Sequence, residues 1–99
     1  MSLLEQNKMD IITYLGDFLA SLVNISPPAA RGLLKLAIKD EIGPFKPFVQ
    51  VNFNELKATI QNALKNRMDK LGFQNIEGLI SLMLNELRDN QSFITMAKV

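Results

Sequence analysis

The chain has 99 residues, no cysteine, no histidine and a formal net charge of +1 at pH 7. These absences remove the thiolate nucleophile, the disulfide framework, zinc-finger spacing and the commonest general base and metal ligand. The small net charge excludes a strong overall field toward nucleic acid or membrane. No apolar run approaches the roughly 20 residues of a membrane span, and no secretion signal precedes the first segment. We therefore expect a single non-enzymatic domain over residues 1–99, cytoplasmic and without metal or cofactor.

Apolar residues recur at helical spacing in four segments, which predict helices over about 4–23, 27–42, 53–71 and 76–88. The first stripe is wide enough to pack against two neighbouring helices, and Gly16 permits close approach of one of them. Asp17 and Ala20 are expected on the opposite, polar side. The pattern predicts an all-α domain of two helical hairpins.

The second predicted helix has the clearest boundaries in the chain. Ser26 before two prolines is a helix N-terminus, and Gly43-Pro44 ends the helix. Prolines at 44 and 47 exclude helix from most of the connection 43–52. We expect an extended connection there, with Phe48–Val51 as a short strand or wrap and the aromatic rings against the bundle.

The third and fourth helices also carry end signals. Asn52 and Glu55 have capping-box spacing, Gly72 stops the third helix, and Asn75 is expected to cap the fourth. Leu71 is assigned to the third helix's apolar face. Residues 90–99 form an apolar tail that continues the fourth helix, pairs with 48–51 as a strand, or docks on another subunit; the sequence does not choose.

A basic row on the second helix is the first candidate site. Arg31, Lys35 and Lys39 follow i, i+4, i+8 spacing, and residues 31–70 carry eight Lys/Arg against four Asp/Glu. Such a row could contact phosphates, with Lys46 and Lys57 reinforcing it. The alternative is a solvated helix face whose aliphatic stems cover the core edge.

Arg67 is the second candidate because it projects near the middle of the third helix's apolar face. A guanidinium there needs a carboxylate or another anion, since an unpaired buried charge is costly. We expect Arg67 to pair with an acidic residue such as Asp17, Glu41 or one on a partner. The alternative is a side chain that extends into solvent near the helix end.

Apolar residues off the main helix faces or in the tail are the third candidate. Contiguous exposed apolar surface usually marks a partner site. The alternative is a third layer of the same chain that covers them. This set comprises Leu36, Leu82, Phe93, Ile94 and Met96.

Together these features favour a small protein-protein interaction module or adaptor subunit. We expect it to be a homodimer, or part of a larger complex, associating through the apolar set with Arg67 as a further contact. The alternative is a nucleic-acid-associated protein that uses Arg31, Lys35 and Lys39.

Overall fold

The computed structural model describes residues 3–90, with side chains described from residue 11 onward. Four helices and no strand occur in this part of the chain, which confirms the predicted all-α class. Helix α1 is Leu3–Val23, α2 is Pro27–Ile42, and α4 is Ile76–Asp89. Helix α3 covers residues 53–70 in three consecutive parts: α-helical Phe53–Ala58, π-helical Thr59–Leu64 and α-helical Lys65–Lys70.

Helix α2 begins and ends at the predicted residues. The Ala29 N–H donates to Ser26 Oγ at 3.3 Å, and prolines occupy the first two positions, where no N–H donor is needed. At the other end, Gly43 adopts φ 117° and its N–H donates to the Lys39 carbonyl at 3.0 Å. Glycine takes this positive φ without steric cost, so the helix stops there.

The cap of α3 is the predicted capping box, whereas the cap of α4 is not as predicted. The Glu55 N–H donates to Asn52 Oδ1 at 2.8 Å, and the Asn52 N–H donates to Glu55 Oε1 at 2.9 Å. Asn75 makes no side-chain capping bond. The reason is its left-handed backbone, with φ 56°, because a capping side chain works from an extended backbone.

The π segment keeps one row of α3 in the core. Leu56, Ile60, Leu64 and Met68 are spaced four apart, and all four are fully buried. In a regular α-helix each four-residue step overshoots a full turn by about 40°, which would carry Met68 to the flank. A π turn holds more residues, so it cancels part of this rotation. Leu71 was predicted on this face but is exposed, because α3 ends at Lys70 and Gly72 turns the chain away.

The four helices form a ring in chain order. Helix α1 packs on α2, α2 on α3, α3 on α4, and α4 closes back on α1. Helices α2 and α4 therefore lie across the core from each other. Large side chains from all four helices fill the centre, among them Leu15, Leu19, Leu34, Ile38, Leu56, Ile60, Leu64, Met68, Met83 and Leu87.

Small residues bring α1 and α2 together. A Cβ placed on Gly16 would lie 2.7 Å from Arg31 Cγ and 2.9 Å from Arg31 Cα, so the close approach predicted at Gly16 is confirmed. Ala20 was predicted on the polar side of α1, but it is buried, as is Ala30 of α2. When two helices approach each other closely, small residues are buried between them. A projection of one helix alone assigns such residues to solvent.

The connection between α2 and α3 contains neither a strand nor a uniformly extended wrap. Residues Phe48–Gln50 form one 3₁₀ turn, and Val51 after it is buried. Phe48 is half-buried, but Phe45 is 93% exposed rather than packed on the bundle. Lys46, the residue after Phe45, bonds to Glu55 of α3. The three predictions for the tail (continued helix, strand pairing and docking on another subunit) concern residues 91–99, which lie outside the described residues.

Candidate functional site

The basic row on α2 is not a set of free charges. Arg31 Nε donates to Asp17 Oδ1 at 2.7 Å, and Arg31 Nη2 donates to Asp17 Oδ2 at 3.0 Å. This hydrogen bonding raises the pKa of Arg31 above its ordinary value. The Lys35 ammonium lies 5.8 Å from the centre of the Phe48 ring, a cation–π distance. Lys39 is exposed, so two of the three predicted phosphate contacts already have partners within the chain.

Arg67 pairs with an acidic residue as predicted, although the partner is Asp40 rather than Asp17 or Glu41, the two residues named as examples. Its guanidinium donates two hydrogen bonds to Asp40, one of them from Nη2 to Oδ1 at 3.1 Å. The two expected partners are engaged elsewhere: Asp17 holds Arg31, and Glu41 accepts from the Asn62 amide at 3.5 Å. Hydrogen bonding from Arg67 lowers the pKa of Asp40 below its ordinary value.

The surroundings of Arg67 also differ from those predicted. Its side chain is 34% exposed, so the guanidinium is at the edge of the α2–α3 contact rather than in the core. The π segment accounts for this position, because it changes which residues of the last α-helical part of α3 face inward. An ion pair this exposed orients two helices more than it stabilises them.

Leu36 and Leu82 are exposed as the sequence indicates, but the fold does not bring them together. Leu36 is 46% exposed on α2, and Leu82 is 48% exposed on α4. Because these helices lie across the core from each other, the two leucines belong to separate surfaces. Phe93, Ile94 and Met96 lie outside the described residues.

The connection 43–52 presents an apolar surface that sequence reasoning missed. Phe45 is 93% exposed and Val49 is 60% exposed. Hydrogen bonds hold the residues beside them: Lys46 Nζ donates to both Glu55 carboxylate oxygens at 2.8 and 2.7 Å, and the Val51 N–H donates to the Phe48 carbonyl at 3.2 Å. The signal was the pair of flanking prolines, which keep this aromatic residue out of any regular element.

Two concave surfaces lie along the α3–α4 hairpin. The larger, of about 400 Å³, is a cleft at the turn between the helices and has residues of both charge signs. Its lining comprises Lys65, Asn66, Asp69, Phe73, Asn75, Ile76 and Glu77. The smaller, of about 230 Å³, is at the opposite end of the hairpin, between the start of α3 and the last turns of α4.

The acidic groups among residues 11–90 do not cluster. No three of them gather where a metal ion could be held. Asp40 and Glu41, adjacent in sequence, turn to different partners, Arg67 and Asn62. The Tyr14 hydroxyl donates to Glu86 Oε2 at 3.0 Å, and this bond raises the pKa of Tyr14. None of the described helices has the length and apolarity needed to cross a membrane.

Comparison with known proteins gives no match: no family model fits the chain, and neither a curated protein nor a solved structure is similar to it. Surface geometry and chemistry are therefore the basis for the functional argument.

Proposed function

We propose that this chain is a small, non-enzymatic protein-protein interaction module that self-associates through exposed apolar surface, with Phe45 as the main anchor. The observation that carries the proposal is the 93% exposure of Phe45, next to Lys46, whose side chain is held by Glu55. Large aromatic side chains are common energetic centres of protein interfaces. Covering its ring with a partner surface would remove apolar area from water, which is favourable.

The contacts that hold this connection favour binding, because a connection that is already ordered loses less entropy on association. Lys46 is held by Glu55, which also bonds to the backbone of Asn52, so both sides of the connection are tied to the start of α3. A pre-ordered anchor of this kind needs little rearrangement to enter a pocket on a partner.

The outer surface of α2 extends this interface. The Lys35–Phe48 contact holds the connection against α2, the helix that also presents Leu36. The Arg31–Asp17 and Arg67–Asp40 pairs set the position of α2 between its neighbours α1 and α3. Leu82 on α4 provides a second contact in this proposal, and the tail residues Phe93, Ile94 and Met96 remain candidate contacts from sequence alone.

Solution mass tests the proposal. We expect light scattering to give a dimer for the wild type and a monomer for Phe45→Ser at the same protein concentration. The matched control is Leu71→Ser, which removes another exposed apolar side chain from a turn and should leave the dimer intact. A monomeric wild type, or a dimer that survives Phe45→Ser, would contradict the proposed role of Phe45.

The alternative is a nucleic-acid-associated protein using Arg31, Lys35 and Lys39. It has less support, because Asp17 and Phe48 engage two of these side chains. Salt separates the two functions: binding to an oligonucleotide should weaken steeply between low and moderate salt, whereas apolar self-association should hardly change.

A further inference from the structure

The groove between the start of α3 and the last turns of α4 combines an apolar floor with a basic rim. Its volume is about 230 Å³. Phe53, Leu84 and Leu87 form the floor, with Leu87 fully buried at its base. The rim consists of Lys57 from α3 and Arg88 from α4, and Ser81 and Asn85 complete the lining.

The two positive charges at this groove, on Lys57 and Arg88, are not neutralised by any other residue of its lining. No carboxylate is among its lining residues. Arg88 donates to the neutral amide oxygen of Asn85, and Lys57 forms no ion pair within the described part of the chain. By contrast, Arg31, Lys46 and Arg67 each form an ion pair with a carboxylate.

We propose that this groove binds an acidic segment of a partner protein, with an apolar side chain on the floor and a carboxylate between Lys57 and Arg88. The charge of the rim selects the partner, because two cations facing one opening favour an anion. A guanidinium can take a carboxylate with two parallel hydrogen bonds. The volume is below the roughly 300–1,000 Å³ typical of pockets for drug-sized ligands, which suits one or two peptide side chains.

This inference goes beyond self-association, because the groove shares no residue with the Phe45 surface. The two proposals can fail separately: solution mass tests one, and peptide binding tests the other.

The experiment is a titration of the ¹⁵N-labelled protein, followed by amide chemical shifts. The probe is an acetylated peptide in which adjacent leucine and phenylalanine are flanked on each side by two glutamates. A second peptide has glutamines in place of the glutamates, and a third has alanines in place of the apolar pair. We expect the first peptide to shift the amides of the groove residues, and the other two to bind at least about tenfold more weakly.

Matched charge variants identify the site. In Lys57→Gln/Arg88→Gln the acidic peptide should bind about tenfold more weakly, whereas Lys39→Gln/Lys70→Gln removes the same charge elsewhere and should leave binding unchanged. Circular dichroism checks that both variants keep their helices. Equal weakening in both double variants would mean attraction by net charge alone and would overturn the proposal. So would a peptide that shifts no groove amides.

Discussion

Gly16 is the residue at which α1 and α2 come closest. A Cβ there would meet the backbone of Arg31 at 2.9 Å as well as its side chain, and backbone cannot move aside as a flexible side chain can. Gly32 on α2 gives the contrast, because a Cβ there would meet nothing within 4 Å. The same residue type therefore has opposite consequences at the two positions.

We expect Gly16→Ala to lower the free energy of unfolding by about 1–2 kcal/mol. Overpacking at a helix contact outweighs the gain of about 1 kcal/mol in helix propensity. Gly32→Ala, the matched control, should raise the free energy of unfolding by about 0.5–1 kcal/mol, because alanine limits the unfolded chain and favours helix. Urea denaturation measures both. A stabilising Gly16→Ala would mean that the helices separate at no cost.

The lowered pKa of Asp40 predicts how the stability of the protein depends on pH. This pKa is lowered by the hydrogen bonds from Arg67, so the stability that Asp40 contributes is present above the ordinary carboxyl pKa of about 3.9 and is lost as pH falls through the lowered value. In Arg67→Met, the pKa of Asp40 should rise toward its ordinary value, as followed by carboxyl ¹³C shifts. Arg31→Met is the control and should leave that pKa unchanged. An Asp40 titration that is the same in Arg67→Met and wild type would contradict the pairing.

The sequence predicts that Arg67 pairs with a carboxylate, but it does not identify Asp40 as the residue that carries this carboxylate. The requirement for a carboxylate follows from the guanidinium and its position near an apolar face. The choice of Asp40 depends on the helix crossing and on the π segment, which a regular helical projection does not contain. Phe45 is a similar case, because the sequence shows an aromatic residue between prolines but does not show that its side chain stays outside the bundle.

At the scale of the element, local signals account for most of the helix ends. The Ser26, Gly43 and Asn52 caps all act through neighbouring residues, and all three are present as predicted. Asn75 fails as a side-chain cap because the turn after Gly72 requires a left-handed residue there. The π segment has a local and a tertiary feature: the Thr59 hydroxyl donates to the Glu55 carbonyl at 2.8 Å, and Leu56 and Met68 both lie in the core.

The two confirmed side-chain N-caps should differ in strength. Asn52→Ala breaks a reciprocal box and releases Glu55, which also holds Lys46, so we expect a loss of about 1–2 kcal/mol in the free energy of unfolding. Ser26→Ala should cost about 0.5–1 kcal/mol, because its bond is longer, at 3.3 Å, and two prolines already hold the first turn. Chemical denaturation of both variants compares them, and an equal or reversed order would contradict this account.

At the scale of the whole molecule, the ring of helices separates two apolar positions that look alike in sequence. Gly32–Ile38 resembles Gly78–Leu84, so Leu36 corresponds to Leu82 at an offset of 46 residues. Both leucines are about half exposed, and the residues that follow them, Ala37 and Met83, are fully buried. The second helix of each hairpin thus presents one leucine to solvent, on different sides of the molecule.

If the proposed self-association uses both leucines, their contributions should be independent. We expect the effects of Leu36→Ser and Leu82→Ser on the free energy of dimerisation to add in the double variant within about 0.5 kcal/mol, because the two positions share no contact. Sedimentation equilibrium of the two single variants and the double variant measures this. A larger coupling would mean that both leucines meet the same partner surface.

The ring also has a consequence for the order of folding. Most of its contacts join helices that follow each other in the chain, so each hairpin can form with little loss of loop entropy. The contact between α1 and α4 is different: the Tyr14–Glu86 bond joins residues 72 positions apart. We expect a contact between such distant parts of the chain to form after the transition state, so that its loss changes the unfolding rate more than the folding rate. Tyr14→Phe should accordingly speed unfolding and leave the folding rate almost unchanged, so the α1–α4 contact sets how long the native protein persists rather than how fast it forms.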